Sequence, residues 1–260
     1  MHDHACWIYE NDGERRKAVV EYFADGIRAA QRLLYVGGSP AARLRDDLEG
    51  LSGVESLVAD GALHVLSLDD IEGAADRSDP ERRLEAYAAA AEQAVADGYT
   101  GVRVAVAVAG LDGAPETHDA HTRWESLVDR AIVSRPLTAL CLYDRRELPD
   151  HLLADLASVH PVSHGSAGAP AFRVFALPDA LALAGEVDYF SAADLGRLLD
   201  ITLRDDGEMV LDLGGLGFVD HHGVMALAER ARPLGERHGL TFQNVPHPVA
   251  RLSEVMGVAL

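Results

Sequence analysis

The stretch Val210-Leu-Asp-Leu-Gly-Gly-Leu-Gly-Phe-Val-Asp220-His221-His222-Gly223-Val-Met-Ala226 decides how the C-terminal third of this chain is read. An apolar strand, Met209 to Leu213, meets a Gly-Gly pair that reads as a turn. A second apolar run, Leu216 to Val219, ends at Asp220, and apolar residues then recur at helical spacing. Strand, tight loop and helix follow in that order. Asp220 stands at the N-cap, where its carboxylate can accept from the free N–H groups of the first turn. Such a helix start suits an anion, a phosphoryl group or a partner's side chain, although a merely capped core helix has the same pattern.

Working outward, Phe172 to Leu177 and Ala180 to Ala184 read as strands, followed by Gly185-Glu186-Val187-Asp188. With Asp212-Leu-Gly-Gly-Leu-Gly-Phe-Val-Asp220 and Asn244-Val-Pro-His-Pro-Val-Ala-Arg-Leu252, these segments resemble, in order, the motifs of the STAS domain of anti-sigma-factor antagonists. The resemblance covers residues 172–260. It implies a STAS-type α/β fold that binds an anti-sigma factor or related regulatory protein through Asp188, Asp220, His221, His222 and Gly223. Phospho-switched relatives carry Ser or Thr directly after the Asp of D-S-x-G, whereas this chain has His221. The resemblance therefore implies an output module without that switch.

With 260 residues and 48% hydrophobic content, the chain can bury two ordinary cores. A formal charge of −19, with Lys17 its only lysine, supplies no basic patch for phosphates and excludes direct nucleic-acid binding. No apolar run spans a membrane. Cys6 and Cys141 make no disulfide framework, and the N-terminus lacks the pattern of a secretory signal, so a cytoplasmic location is expected.

Upstream, short apolar runs alternate with amphipathic ones. Strands are expected at Cys6–Tyr9, Leu33–Val36, Leu63–Leu66, 101–109 and Thr138–Tyr143. Helices are expected at Glu14–Gln31, Ala41–Glu49, Pro80–Ala96, Thr122–Val133 and His151–Val159. In the first helix Val19, Val20, Phe23, Ile27 and Ala30 share a face. This alternation predicts an α/β domain, a three-layer arrangement around a mainly parallel sheet, over residues 1–161. Residues 162–171, small and Gly/Pro-containing, read as a linker to the second domain at 172–260.

Ligands of open parallel sheets bind outside the C-terminal strand ends, which here offer Tyr9-Glu10, Gly37-Gly38-Ser39 and Asp144. The Gly37-Gly38-Ser39-Pro40 turn opens a helix but lacks the lysine of a phosphate-binding P-loop, and neither a G-x-S-x-G elbow nor H-E-x-x-H is present. His2, His4 and Cys6 would share one face of an extended segment as metal-capable side chains; a frayed terminus with a buried Cys6 explains them equally. His118 and His121 read as a solvated helix entry.

His4-Ala-Cys-Trp-Ile-Tyr9, Gly26, Leu34-Tyr35-Val36, Gly98-Tyr-Thr-Gly-Val-Arg-Val104, Trp124-Glu125, Cys141-Leu-Tyr-Asp144 and His160-Pro161 together resemble the MEDS domain, a sensory module of methanogen and methylotroph regulators. The relatives' acidic residue and Trp after the G-[FY]-x-G-x-R-V segment are replaced by Ala107 and other small residues. The resemblance implies a signal-input domain for a small-molecule ligand. The candidate ligand-binding set is His4, Cys6, Tyr9, Glu10, Gly37, Gly38, Trp124, Cys141, Tyr143, Asp144 and His160, with no metal ligand, cofactor or catalytic residue assigned. The expected function is a non-enzymatic signalling regulator; the alternatives are an enzyme or nucleotide binder at the first domain's strand ends and a non-sensing scaffold.

Overall fold

The computed structural model describes residues 4–38, 41–68, 70, 80–111, 114–166, 168–203, 209–231 and 240–260. His2, Ser39 and Pro40, named above, lie outside that set. Two compact units result, one built on each of two sheets.

The first sheet has six parallel strands in the order β3-β2-β4-β5-β1-β6. They are β1 (His4–Tyr9), β2 (Arg32–Gly37), β3 (Leu63–Ser67), β4 (Val102–Ala107), β5 (Leu137–Asp144) and β6 (Val162–Gly165). All eight residues of β5 are buried, as a central parallel strand requires. The helices of this segment are α1 (Asp12–Arg28), α2 (Ala41–Asp46), α3 (Val54–Ala59), α4 (Pro80–Ala96), α5 (Pro115–Val133) and α6 (Asp150–Val159).

α1 starts at Asp12, two residues before the expected Glu14. The Asn11 side chain accepts from the Glu14 N–H at 3.1 Å, and Glu14 reaches back to the Glu10 N–H at 2.9 Å, so two otherwise orphaned donors are satisfied. Ala18, Val19 and Phe23 turn inward, and Phe23 meets Tyr35 edge-on with ring centroids 5.9 Å apart. Gly26 lets the helix approach the sheet: a Cβ there would lie 2.6 Å from Leu33 and 2.7 Å from Arg103. The helix stops before Ala30, whose φ of 52° is left-handed, and Ile27 is exposed, so neither joins the expected buried face.

Cα register puts Cys6 opposite Cys141 and Ile8 opposite Tyr143. Because side chains alternate along a strand, His4, Cys6, Cys141 and Tyr143 share one face of the sheet, while Tyr9, Tyr35, Leu140 and Leu142 share the other, packed with Val19 and Phe23.

The second sheet is mixed, ordered β10-β9-β8-β7. β7 (Phe172–Leu177) pairs antiparallel with β8 (Ala180–Val187), which pairs parallel with β9 (Met209–Val219), itself parallel to β10 (Leu240–Gln243). Its helices are α7 (Ala192–Thr202), α8 (His221–Ala231) and α9 (His247–Met256). Leu181, Leu183, Leu195, Leu198, Leu211 and Leu227 form its core.

Three expectations are corrected. Gly214-Gly215 is not a turn: β9 runs unbroken for 11 residues, with register shifts against β8, and a Cβ on Gly215 would sit 2.7 Å from that of Ala184. α5 begins at Pro115 rather than Thr122, since proline is preorganised for the first turn, which places His118 and His121 inside the helix; His118 is buried. Residues 162–165 of the expected linker form β6, whose residues pair with β1 from Ala5 to Ile8.

Candidate functional site

Two neighbourhoods hold the chemistry. In the first unit, β1 and β5 bring the Nε2 of His4 to 3.7 Å from the Sγ of Cys141. In the second unit, Glu125 of α5 has its Oε1 3.1 Å from His121 Nε2, and its Oε2 is 3.4 Å from Nε2 of His160 in the turn after α6. The other His160 nitrogen, Nδ1, lies 2.7 Å from the Leu156 carbonyl oxygen. His4 and Cys141 are buried on the sheet face that Cys6 and Tyr143 share.

The opposite sheet face carries a different network. The buried Asp47 carboxylate accepts from Tyr35 Oη at 2.6 Å and from Arg15 Nε and Nη2 at 3.0 and 2.9 Å. Burial first, then the adjacent Asp47 carboxylate, drives the Tyr35 phenol well above its ordinary pKa. Arg15 also stacks over the Tyr9 ring, 5.4 Å from its centroid. Asp144 is gripped by Arg146, whose side-chain hydrogen bonds hold its carboxyl below the usual range.

The second neighbourhood opens α8. Asp220 caps the helix, accepting from the N–H groups of His222 at 2.8 Å and Gly223 at 3.1 Å through Oδ1. Its Oδ2 accepts from the Tyr189 N–H at 2.9 Å. Partial burial pushes this carboxyl up, but the bonds from Gly223 and His222 outweigh it and leave the group below its ordinary pKa. Asp188 caps the neighbouring turn: its Oδ1 accepts from the N–H of Phe190 at 3.0 Å and of Ser191 at 3.1 Å, while Ser191 Oγ accepts from the Asp188 N–H.

What these two carboxylates hold up is a row of rings. Phe190 and Tyr189 are 83% and 64% exposed, Tyr189 lies 4.8 Å from the His222 ring, and the His222 and His221 rings are tilted against each other with centroids 3.8 Å apart. Phe218 and Met225 are also exposed.

Residues 3–161 match the family model described as MEDS, the methanogen/methylotroph, DcmR sensory domain. The chain belongs to the MEDS family. Residues 176–259 match the model described as Mlab, STAS domain, so the MEDS module is fused to a STAS domain. Neither the curated proteins nor the solved structures yield a match. The matched domains are sensory and regulatory rather than catalytic, and the MEDS–STAS chain is a signalling regulator. No helix among the described residues is long and apolar enough to cross a membrane.

Of the MEDS candidates, His4 and Cys141 come together on adjacent strands. Cys6 and Tyr143 are buried on the same sheet face, and Trp124 is buried beside Glu125 in sequence. Tyr9 and Asp144 point to the opposite face, and Glu10 is exposed at the start of α1. Gly37 and Gly38 close β2, where a Cβ would lie 3.3 Å from that of Ala107 and 3.4 Å from that of Ala109. Glu125 and His121 were missed as a pair; their i, i+4 spacing was the available signal. Tyr189 and Phe190 were missed in the STAS domain, where two aromatics directly after Gly185-Glu186-Val187-Asp188 had no apolar period to absorb them.

Proposed function

We propose that this chain is a cytoplasmic regulator in which the MEDS domain, responding to a small molecule, governs how the STAS domain engages an anti-sigma factor or related regulatory protein. The observation that carries the reading is the ring row Phe190, Tyr189, His222 and His221, held in the open by Asp188 and Asp220. Exposed aromatics cost hydration unless a partner covers them, and a few such anchors dominate the energetics of protein interfaces. The net charge of −19 favours a partner with a basic face and a salt-dependent association.

This output is not phospho-switched. His221, at the first position of α8, offers an imidazole where relatives present a hydroxyl. The neighbouring Ser191 is 8% exposed and its Oγ is tied to Asp188, and Thr202 is 3% exposed, so neither hydroxyl is presented to a kinase.

The test titrates the full chain by calorimetry against purified anti-sigma factors from its own genome. At least one should bind, and Phe190→Ala should weaken it at least tenfold, which is about 1.4 kcal/mol. Binding to none of them, or binding indifferent to Phe190, overturns the reading. Incubation with the bound factor and ATP, followed by mass spectrometry, should leave the STAS domain unmodified; stoichiometric phosphate on Ser191 or Thr202 that abolishes binding defeats the second half.

A further inference from the structure

We propose that Cys6 and Cys141 are an oxidation site, a paired dithiol that a small hydroperoxide converts into a disulfide joining β1 to β5, with His4 taking the proton of the first thiol to react. These are the only two cysteines of the chain, and both are free thiols in the structure. Far apart in sequence, they are Cα partners in the parallel pairing of β1 with β5. Neighbouring strands run about 4.8 Å apart, inside the roughly 4.4–6.8 Å that disulfides span between Cα atoms. Register partners in a parallel pair also project to the same face, so their Cα–Cβ bonds run side by side instead of diverging. The pair meets both conditions for a bridge that leaves the backbone where it is.

Buried cysteines in a sheet often serve only as small apolar side chains. What sets this pair apart is His4, two residues before Cys6 on the same face of β1, whose Nε2 lies 3.7 Å from Cys141 Sγ. A ring nitrogen beside a thiol can accept its proton, and the thiolate is the form that attacks. Cys141 therefore reacts first and Cys6 second. In the first step the Cys141 sulfur attacks one peroxide oxygen and the O–O bond breaks. The thiol proton passes through His4 to the departing oxygen, which leaves as water or an alcohol, and Cys141 becomes a sulfenic acid. In the second step the Cys6 sulfur attacks Cys141 Sγ, the S–O bond breaks, the S–S bond forms, and the Cys6 proton departs with the hydroxyl as water. The two sulfurs give up two electrons and the peroxide gains them. His4, Cys6 and Cys141 all belong to the first unit, so the reaction is contained within one sheet. Cys6 is 0% and Cys141 4% exposed, so the oxidant has to be small and to enter through local opening of the sheet, where only the four-residue β6 separates β1 from the edge. Oxidation is then an input to the MEDS domain distinct from a reversibly bound ligand, and it does not depend on which partner the STAS domain engages.

The experiment uses the full chain, reduced, freed of reductant and exposed to hydrogen peroxide under native conditions. Free thiols, counted by alkylation after denaturation, should fall from two to none, and the intact mass should show the loss of two hydrogens. Non-reducing peptide maps should join the Cys6 peptide to the Cys141 peptide within one chain, and a thiol reductant should restore both thiols. Cys6→Ser should stop at a sulfenic acid on Cys141 that dimedone captures. Cys141→Ser should leave Cys6 slower to oxidise by roughly tenfold or more, and His4→Gln should slow disulfide formation in the two-cysteine chain by a similar factor. The proposal is overturned by two thiols that persist in the folded chain, by a link between chains instead of within one, or by oxygen added to the cysteines with no cross-link. Undiminished oxidation of Cys6 in Cys141→Ser, or a rate indifferent to His4→Gln, overturns the roles given to Cys141 and His4. The wild-type peptide map needs no variant and decides the matter even where a substitution prevents folding.

Discussion

Replacing Asp220 with alanine removes three bonds to backbone N–H groups at once: the cap bonds to His222 and Gly223, and the tie to Tyr189. Loss of an N-cap costs about 1–2 kcal/mol. The Tyr189 tie is exposed, so its loss adds about 0.5–1 kcal/mol. A total of roughly 1.5–3 kcal/mol, in a domain of this size, lowers its melting temperature by about 6–24 °C. Calorimetry, with hydrogen exchange on peptides from 180–231 to identify the transition, measures the shift. Asp220→Ser keeps a capping oxygen but is too short for Tyr189, so it should recover more than half of the loss. The wild-type pH dependence carries a sign as well. A carboxyl whose folded pKa lies below its unfolded value stabilises fully above the unfolded value, near 3.8, and that contribution disappears as pH falls through the folded one. Asp220→Ala should therefore flatten the acid limb of the stability curve. A shift under about 3 °C, or a serine variant no better than alanine, refutes the capping argument.

Three further outcomes follow from the geometry. Tyr35 has a raised folded pKa, so its contribution is complete below the unfolded value near 10 and is lost as pH rises above it; Tyr35→Phe should shallow the alkaline unfolding limb, measured by circular dichroism from pH 8 upward. Gly223→Ala should cost about 1–3 kcal/mol in denaturant titration, because the added Cβ would lie 2.5 Å from Val219 Cγ2 and 3.1 Å from the Val187 carbonyl oxygen. Limited proteolysis should cut at 168–171 and spare 162–165, whose backbone is paired with β1; peptide mapping that places the first cut inside 162–165 counts against that pairing.

The legible parts of this chain were local ones. Asp220 as a cap, a helix beginning close to Glu14, and a strand within 101–109 each carry their reason within a few residues, and the structure has all three. The misreadings came from partners distant in sequence. Gly215 looks like a turn residue until Ala184 of the neighbouring strand is seen to need its space. The polar Val162-Ser-His-Gly165 looks like a linker until β1 supplies hydrogen-bonding partners. The His4–Cys141 contact was half visible: the family resemblance drew attention to both residues, but nothing in the order of residues says that positions 4 and 141 become neighbours on adjacent strands. Glu125 sits mid-helix, where the default expectation for a carboxylate is solvent, and only the fold buries it.

The four-residue β6 gives the MEDS boundary a physical meaning. The family match ends at residue 161, one residue before β6 begins. A fragment trimmed at that boundary would leave β1 as the sheet's outermost strand, with a row of bare N–H and C=O groups beside Cys6 and Trp7. Unprotected edges of this kind recruit other chains. β6 covers that row and then closes itself off: Gly165, at φ 85°, turns so tightly against β1 that any Cβ would lie 2.0 Å from the Ile8 carbonyl oxygen, and the Ser166 N–H donates to that same oxygen. Four short residues thus act as a selvedge, finishing the sheet so that it does not fray into its neighbours, and a soluble MEDS fragment of this protein has to extend at least through Ser166.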